Sequence, residues 1–176
     1  MKVTGFIGLG SNLGDRVASI LQAVEALDET PGVMVFRLST LLETEPVGLQ
    51  EQGDFLNAVV EVRSTLSASQ VLQQMLAIES GLGRDRASST AGGPREIDLD
   101  LLLWGEEISE TPGVQVPHPR LHERAFVLVP MVELAPDLVH PTIGRSMRDL
   151  LEDEIKVNGP LPDRCRPAGR GPLLDS

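Results

Sequence analysis

Cysteine occurs once, at position 165, so the chain cannot close a disulfide within itself. Its first residues show no basic segment followed by an apolar stretch and a cleavage site, and a cytoplasmic location is expected. Long apolar runs are missing too. The stretch 99–104 is far too short to cross a bilayer, which excludes a membrane-spanning helix. Positive charge is scarce, with a net charge of −11, and a chain so acidic repels polyanions, which excludes a general nucleic-acid surface. Any phosphate site must be local. No internal repeat is visible, and 176 residues with 41% apolar content suffice for one buried core but hardly for two.

Among the basic residues, lysine is nearly absent: two Lys stand against thirteen Arg. Five of the arginines (Arg84, Arg86, Arg95, Arg120, Arg124) fall between positions 84 and 124. The excess as a whole fits an Arg-rich codon usage, whereas the clustering fits the planar fork that guanidinium offers to phosphate oxygens.

Hydrophobic periodicity orders the rest. Val3 to Leu9 reads as a strand entering a loop at Gly8, Gly10 and Gly14. Val17, Ile20, Leu21, Val24 and Leu27 recur at helical spacing, with Asp15 near the start and Pro31-Gly32 as the stop. Val33 to Leu42 predicts a second strand, Thr44 to Asp54 a loop, and residues 55–63 a third strand. Ser67 with Gln70 forms a capping-box pattern ahead of a second helix striped by Val71, Met75, Ile78 and Leu82 and ended by Gly81 and Gly83. A Ser/Thr/Gly-rich loop runs to about Pro94, and Ile97 to Trp104 is a fourth strand. The order is βαββαβ, an α+β ferredoxin-like sandwich with an antiparallel sheet and helices on one face. Short C-terminal helices are predicted around Ala125 to Leu134 and Ser146 to Leu151. Residues 158–176 hold four Pro, three Gly and three Arg, so a single domain 1–153 followed by a mobile tail 154–176 is expected. No apolar stripe is left over, which points to a monomer.

Strand alternation places the polar residues. In the fourth strand Ile97, Leu99, Leu101 and Leu103 share one face, leaving Asp98 and Asp100 on the other, roughly 7 Å apart at their alpha carbons. Such a pair is either plainly solvent-facing or it holds a cation between its charges; Mg²⁺ prefers carboxylate, phosphate and water oxygens. Asp is depleted in strands and the pair adjoins the Arg-rich segment, so we take the metal reading. In the third strand the aliphatic face of Leu56, Ala58, Val60 and Val62 sets Phe55 and Asn57 on the same uncovered side as the two acids. They are either a partly buried ring beside a turn-capping amide, or groups that stack on and hydrogen-bond a flat heterocycle. The Gly8 to Gly14 cluster lacks the Gly-Lys-Ser/Thr ending of a phosphate loop, so it is assigned to loop geometry.

Several ordered segments resemble the 6-hydroxymethyl-7,8-dihydropterin pyrophosphokinase family: Ile7-Gly-Leu-Gly-Ser-Asn-Leu-Gly14, Thr44-Glu-Pro-Val-Gly48, Asp54-Phe-Leu-Asn-Ala58, Glu79 with Gly83-Arg-Asp-Arg86, Gly93-Pro-Arg-Glu-Ile-Asp-Leu-Asp-Leu101, and Val116-Pro-His-Pro-Arg120 with Arg124 and Phe126. The resemblance runs from residue 3 to about 151. It implies an ATP-dependent, Mg²⁺-requiring diphosphokinase of folate biosynthesis, a transferase that moves diphosphate from ATP to the hydroxymethyl group of the pterin and releases AMP. It implies two Mg²⁺ on Asp98 and Asp100, a pterin ring between Phe55 and Phe126, and Asn57 reading its amide edge, with Thr44 and Val47 supplying loop contacts. Arg84 and Arg95 are implied on the ATP phosphates in the chemical step, with Glu79, Arg86, Ile97, His118 and Arg124 as further nucleotide contacts. Taken alone, His118 between two prolines also fits a turn, and Arg84 and Arg86 also fit a helix end. The chain departs from the family pattern in loop 87–93, which lacks an Arg and a Trp common before Gly-Pro-Arg, and at Glu45, which replaces a proline. Two other classes share these features: a nucleotidyltransferase, which would release diphosphate, and a non-catalytic ferredoxin-like binding module.

Overall fold

The computed structural model describes residues 2–46, 52–83, 96–162 and 164–169. Strand β1 (Val3–Ser11) leads into helix α1 (Arg16–Glu29), which starts where the Asp15 carboxylate accepts the Ala18 N–H at 3.0 Å. That bond satisfies one of the donors a helix start leaves unpaired. Helix α2 (Ala68–Gly81) opens on the expected capping box: Ser67 Oγ accepts the Gln70 N–H at 3.1 Å, and Gln70 Oε1 accepts the Ser67 N–H at 2.9 Å. Both helices turn their apolar stripes to one sheet face. Ile20, Val24, Leu27, Val71 and Met75 bury there against Ile7, Leu9, Leu56, Val60, Leu99 and Leu101.

The predicted strand 33–42 is interrupted. It forms β2 (Val33–Leu38) and β3 (Leu41–Thr44), which lie end to end along one side of β4 (Phe55–Ser64). At the break Ser39 replaces the regular ladder, its N–H donating to Val59 O and its hydroxyl accepting the Val59 N–H, each at 2.9 Å. With β2 and β3 counted as one interrupted strand and β5 (Asp98–Trp104) at the far edge, the antiparallel order is 4-1-3-2, the ferredoxin-like arrangement. A hairpin of β6 (Ser109–Thr111) and β7 (Val114–Val116) follows, then a short 3-10 turn, Leu121–Glu123.

Helices α3 (Ala125–Leu134) and α4 (Met147–Asn158) cover part of the opposite face, where Leu128, Met131 and Leu150 pack on Phe6, Val59, Leu102 and Leu103. The expected alternation of β5 fails at its end. Phe6 pairs with Leu103 but Ile7 pairs with Leu101, so Leu102 is an extra residue in the ladder. This bulge sends Leu103 into the second core, and Trp104 returns to the first, over Gly5. A Cβ on Gly5 would lie 2.2 Å from the Trp104 ring, so the glycine is what admits the indole.

Of the segment expected as a mobile tail from residue 154, the described residues, 154–162 and 164–169, are built into the fold. Helix α4 continues to Asn158, and within it Glu154, almost fully buried, is held by both Nη atoms of Arg164 at 2.6 and 3.0 Å. Cys165–Gly169 then forms β8 on the outer edge of β3. Charged and proline-containing residues hid this strand, which is fixed by long-range pairing. Among the described residues, no helix is long and apolar enough to cross a membrane.

Candidate active site

On the face left open beside α3, two cross-strand rows share a pattern. Asp98 pairs with Gly10, which pairs with Asn57; Asp100 pairs with Gly8, which pairs with Val59. Strands are spaced by about 5 Å, so the acids stand about 10 Å from the β4 side chains with only glycine between them. The result is a trough one strand wide. It forms the floor of a cavity of about 380 Å³ whose walls include Thr44, Phe55, His118, Arg120, Arg124 and Phe126.

Each wall has a local cause. Asn57 is buried and its Nδ2 donates to Thr44 Oγ1 at 2.6 Å, which orients the amide by a hydroxyl from the neighbouring strand. Arg124 and Phe126 flank the start of α3, with the guanidinium carbon 5.5 Å from the phenyl centroid. Burial lowers the Arg124 pKa, Asp100 opposes that fall and Arg120 adds to it; a guanidinium keeps its charge regardless. The backbone N–H of His118 donates to Leu102 O at 2.9 Å, fastening the segment after β7 to the end of β5.

The ring of His118 is polarised in one direction. Its Nδ1 accepts the Arg120 N–H at 3.1 Å, so in the neutral imidazole the proton sits on Nε2, which is then a donor. Burial, helped by Arg124 and opposed by Asp98, lowers its pKa from 6.5 to about 4. Between those two values the unfolded chain binds a proton that the folded chain refuses, so this contribution to stability is fully present above pH 6.5 and is lost as pH falls toward 4. The denaturation midpoint of ligand-free protein in EDTA is expected to drop on acidification through that window, and less steeply in His118→Gln. An identical slope in the variant removes His118 as the cause.

Asp98 and Asp100 offer a hard oxygen donor set. Among the described residues they join no group of three or more His, Cys, Asp or Glu able to hold a metal. A cation there would complete its shell with water and phosphate oxygens, which is the habit of Mg²⁺ rather than of metals held in all-protein cages. The residues present fit that ion.

Of the expected site residues, Asp98, Asp100, Thr44, Phe55, Asn57, His118, Arg124 and Phe126 meet in this cavity. Two others do not line it. Glu79 is buried against β5, where Oε1 accepts the Leu99 N–H at 3.2 Å, and Ile97 is wholly inside the first core, leaving only its main chain to meet a ligand. Val47, Arg84, Arg86 and Arg95 lie outside the described residues. Sequence reasoning missed Gly8 and Gly10 as strand residues forming the floor, and it gave Arg120 no place in the site, although the arginine clustering had marked it.

Comparison with known proteins places the chain in a family. The family model for 7,8-dihydro-6-hydroxymethylpterin-pyrophosphokinase matches residues 6–136. The 2-amino-4-hydroxy-6-hydroxymethyldihydropteridine pyrophosphokinase of Bacillus subtilis is 43% identical over 134 residues, covering 76% of this chain and 79% of that protein. Its namesake from Methylorubrum extorquens is 45% identical over 147 residues, covering 83% and 90%. Among solved structures, wild-type Plasmodium falciparum HPPK-DHPS with pterin and p-hydroxybenzoate is similar at a TM-score of 0.71 and 14% identity, which bears on the fold alone. The match covers 95% of this chain and 45% of that one, so this chain spans less than half of that longer protein. The chain belongs to the 7,8-dihydro-6-hydroxymethylpterin-pyrophosphokinase family.

Proposed function

We propose that this protein transfers the terminal diphosphate of ATP to the hydroxymethyl group of 6-hydroxymethyl-7,8-dihydropterin, releasing AMP, as a step of folate biosynthesis. The observation that carries the reading is the facing of two carboxylates and an aromatic-amide wall across a glycine floor in one cavity. Phe55 and Phe126 stack on the bicyclic ring, and Asn57, oriented by Thr44, reads its amide edge. By resemblance, Val47 supplies a loop contact to the ring.

Asp98 and Asp100 are the residues that would hold two Mg²⁺. These ions, when bound, neutralise phosphate charge and polarise the phosphoryl oxygens. Arg124 and the Nε2–H of His118 donate to phosphate oxygens near the two carboxylates, and Arg120 adds charge beside them. Arg84, Arg86 and Arg95, by resemblance, reach the same phosphates, and the main chain of Ile97 and the neighbourhood of Glu79 meet the nucleoside. In the reaction the hydroxymethyl oxygen bonds to the β-phosphorus as the bond from that phosphorus to the α,β-bridging oxygen breaks. The hydroxyl proton passes to water, and AMP departs with the bridging oxygen. The protein contributes mainly alignment and charge stabilisation.

The same reading makes the protein a cytoplasmic monomer acting on small molecules, with neither nucleic acid nor membrane as partner; the net charge of −11 supports the former exclusion. The test is incubation with ATP, Mg²⁺ and the hydroxymethyl dihydropterin, followed by chromatography. AMP and diphosphorylated pterin are expected in equal amounts. Release of diphosphate instead would reassign the protein to nucleotidyl transfer, and no Mg²⁺-dependent turnover would leave a binding module.

A further inference from the structure

Strand β8 lies beyond residues 6–136, the range the family model matches, yet it touches both walls of the cavity. Toward one wall it pairs with β3, Cys165 opposite Thr44 and Arg166 opposite Glu43. Thr44 is the residue that orients Asn57 and pairs with Phe55. The Arg166 guanidinium also reaches Asp54 Oδ2 at 2.9 Å, directly before Phe55 in the chain. Asp54 is held from its other side, where Arg16 donates to its carbonyl at 3.0 Å while pairing with Glu43 at 2.7 Å. Two arginines thus fix the entry to β4 through one small network.

Toward the other wall, Cys165 packs with Leu42 and Ala125 in a small apolar cluster that Phe126 joins. The strand is anchored at its start by the Arg164 fork on buried Glu154. It follows that Phe55 and Phe126, which stand on different elements, are tied to a common brace.

We propose that β8 sets the spacing of the two aromatic walls, so that its docking and acceptor binding stabilise each other, with Arg166 as the positioning residue. This inference rests on the acceptor reading of Phe55, Asn57 and Phe126. Coupling of this kind is reciprocal: whatever weakens docking weakens acceptor binding by the same factor, and acceptor binding holds the strand down. Nucleotide binding draws mainly on the carboxylate side of the trough and meets the braced helix only through Arg124, so it is expected to feel the coupling less than acceptor binding does.

The chain carries its own reporter. Cys165 is its single cysteine, 8% exposed while β8 is docked, and burial raises its thiol pKa, so it reacts with a maleimide slowly until the strand lifts. The experiment uses the full chain, its Arg166→Glu and Arg166→Lys variants, and three readouts: acceptor Kd by titration, kcat at saturating acceptor, and the rate of Cys165 labelling. Arg166→Glu sets an acid beside Asp54 and Glu43. It is expected to weaken acceptor binding on the order of tenfold and to speed labelling, with kcat unchanged. Arg166→Lys restores most of the affinity, and saturating acceptor slows labelling of the wild-type chain. An unchanged acceptor Kd in Arg166→Glu, or labelling indifferent to acceptor, overturns the proposal, and so does a parallel loss of kcat. Wild-type protein that turns ATP over but shows no acceptor binding at Phe55 and Phe126 overturns the site reading itself, and this inference with it.

Discussion

Asp98→Asn and Asp100→Asn are each expected to lower the rate of AMP formation by roughly 10³-fold or more while leaving the melting temperature near the wild-type value. On the proposed metal reading, removing one carboxylate withdraws an oxygen ligand and a charge from the point where phosphate charge must be neutralised. A loss of about 4 kcal/mol of transition-state stabilisation corresponds to that factor. The amide has nearly the same volume, and both positions sit on a strand whose other face is buried, so the fold does not depend on the charge. The two variants should still differ in detail. Asp100 is the acid that acts most strongly on Arg124, whereas Asp98 is the one that acts on His118 most strongly. Initial rates measured against Mg²⁺ concentration, with a thermal melt of each variant, decide the matter. A variant that keeps near-full rate ends the metal assignment.

The second large effect is expected at a residue with no side chain. A Cβ on Gly10 would lie 2.9 Å from Asn57 Oδ1 and 3.7 Å from Phe55 Cδ1, so Gly10→Val pushes three carbons into the trough. Valine is a good strand residue, and the chain therefore folds. Acceptor binding, in contrast, should weaken about 100-fold, or about 2.7 kcal/mol, because the ring and the valine compete for one volume. Gly10→Ala should give a smaller loss, since Asn57 need shift by only a few tenths of an ångström. Titration with acceptor and, separately, with nucleotide checks this: nucleotide affinity stays close to wild type. If both ligands weaken equally, the floor is not what divides the two subsites.

Much of this site was legible because a strand repeats every two residues. Asp98, Asp100, Phe55 and Asn57 could be set on one side of a sheet without knowing the sheet, and they meet in one cavity. The same rule failed for Leu103, since the bulge at Leu102 arises from how β5 pairs with β1 and leaves no local mark. Gly8 and Gly10 were read as a loop because glycine signals both turns and close approaches. Their place in the floor appears only once the register opposite Asp100 and Asp98 is known. Strand β8 was illegible for another reason: its order comes from Asp54, Glu154 and the edge of β3, all remote in sequence. The helical walls were foreseen as helices, but not where they would dock. The roles of Arg84, Arg86 and Arg95 remain carried by the family resemblance, as those residues lie outside the described structure.

The trough is laid on β1, which is hydrogen-bonded to β5 on one side and to β4 on the other. Its main-chain amides are bonded into two ladders and are expected to be among the slowest in the molecule to exchange with water. A floor held in this way is expected to stay rigid while the enzyme turns over. Traffic of ligands in and out must then be managed by the surrounding walls alone.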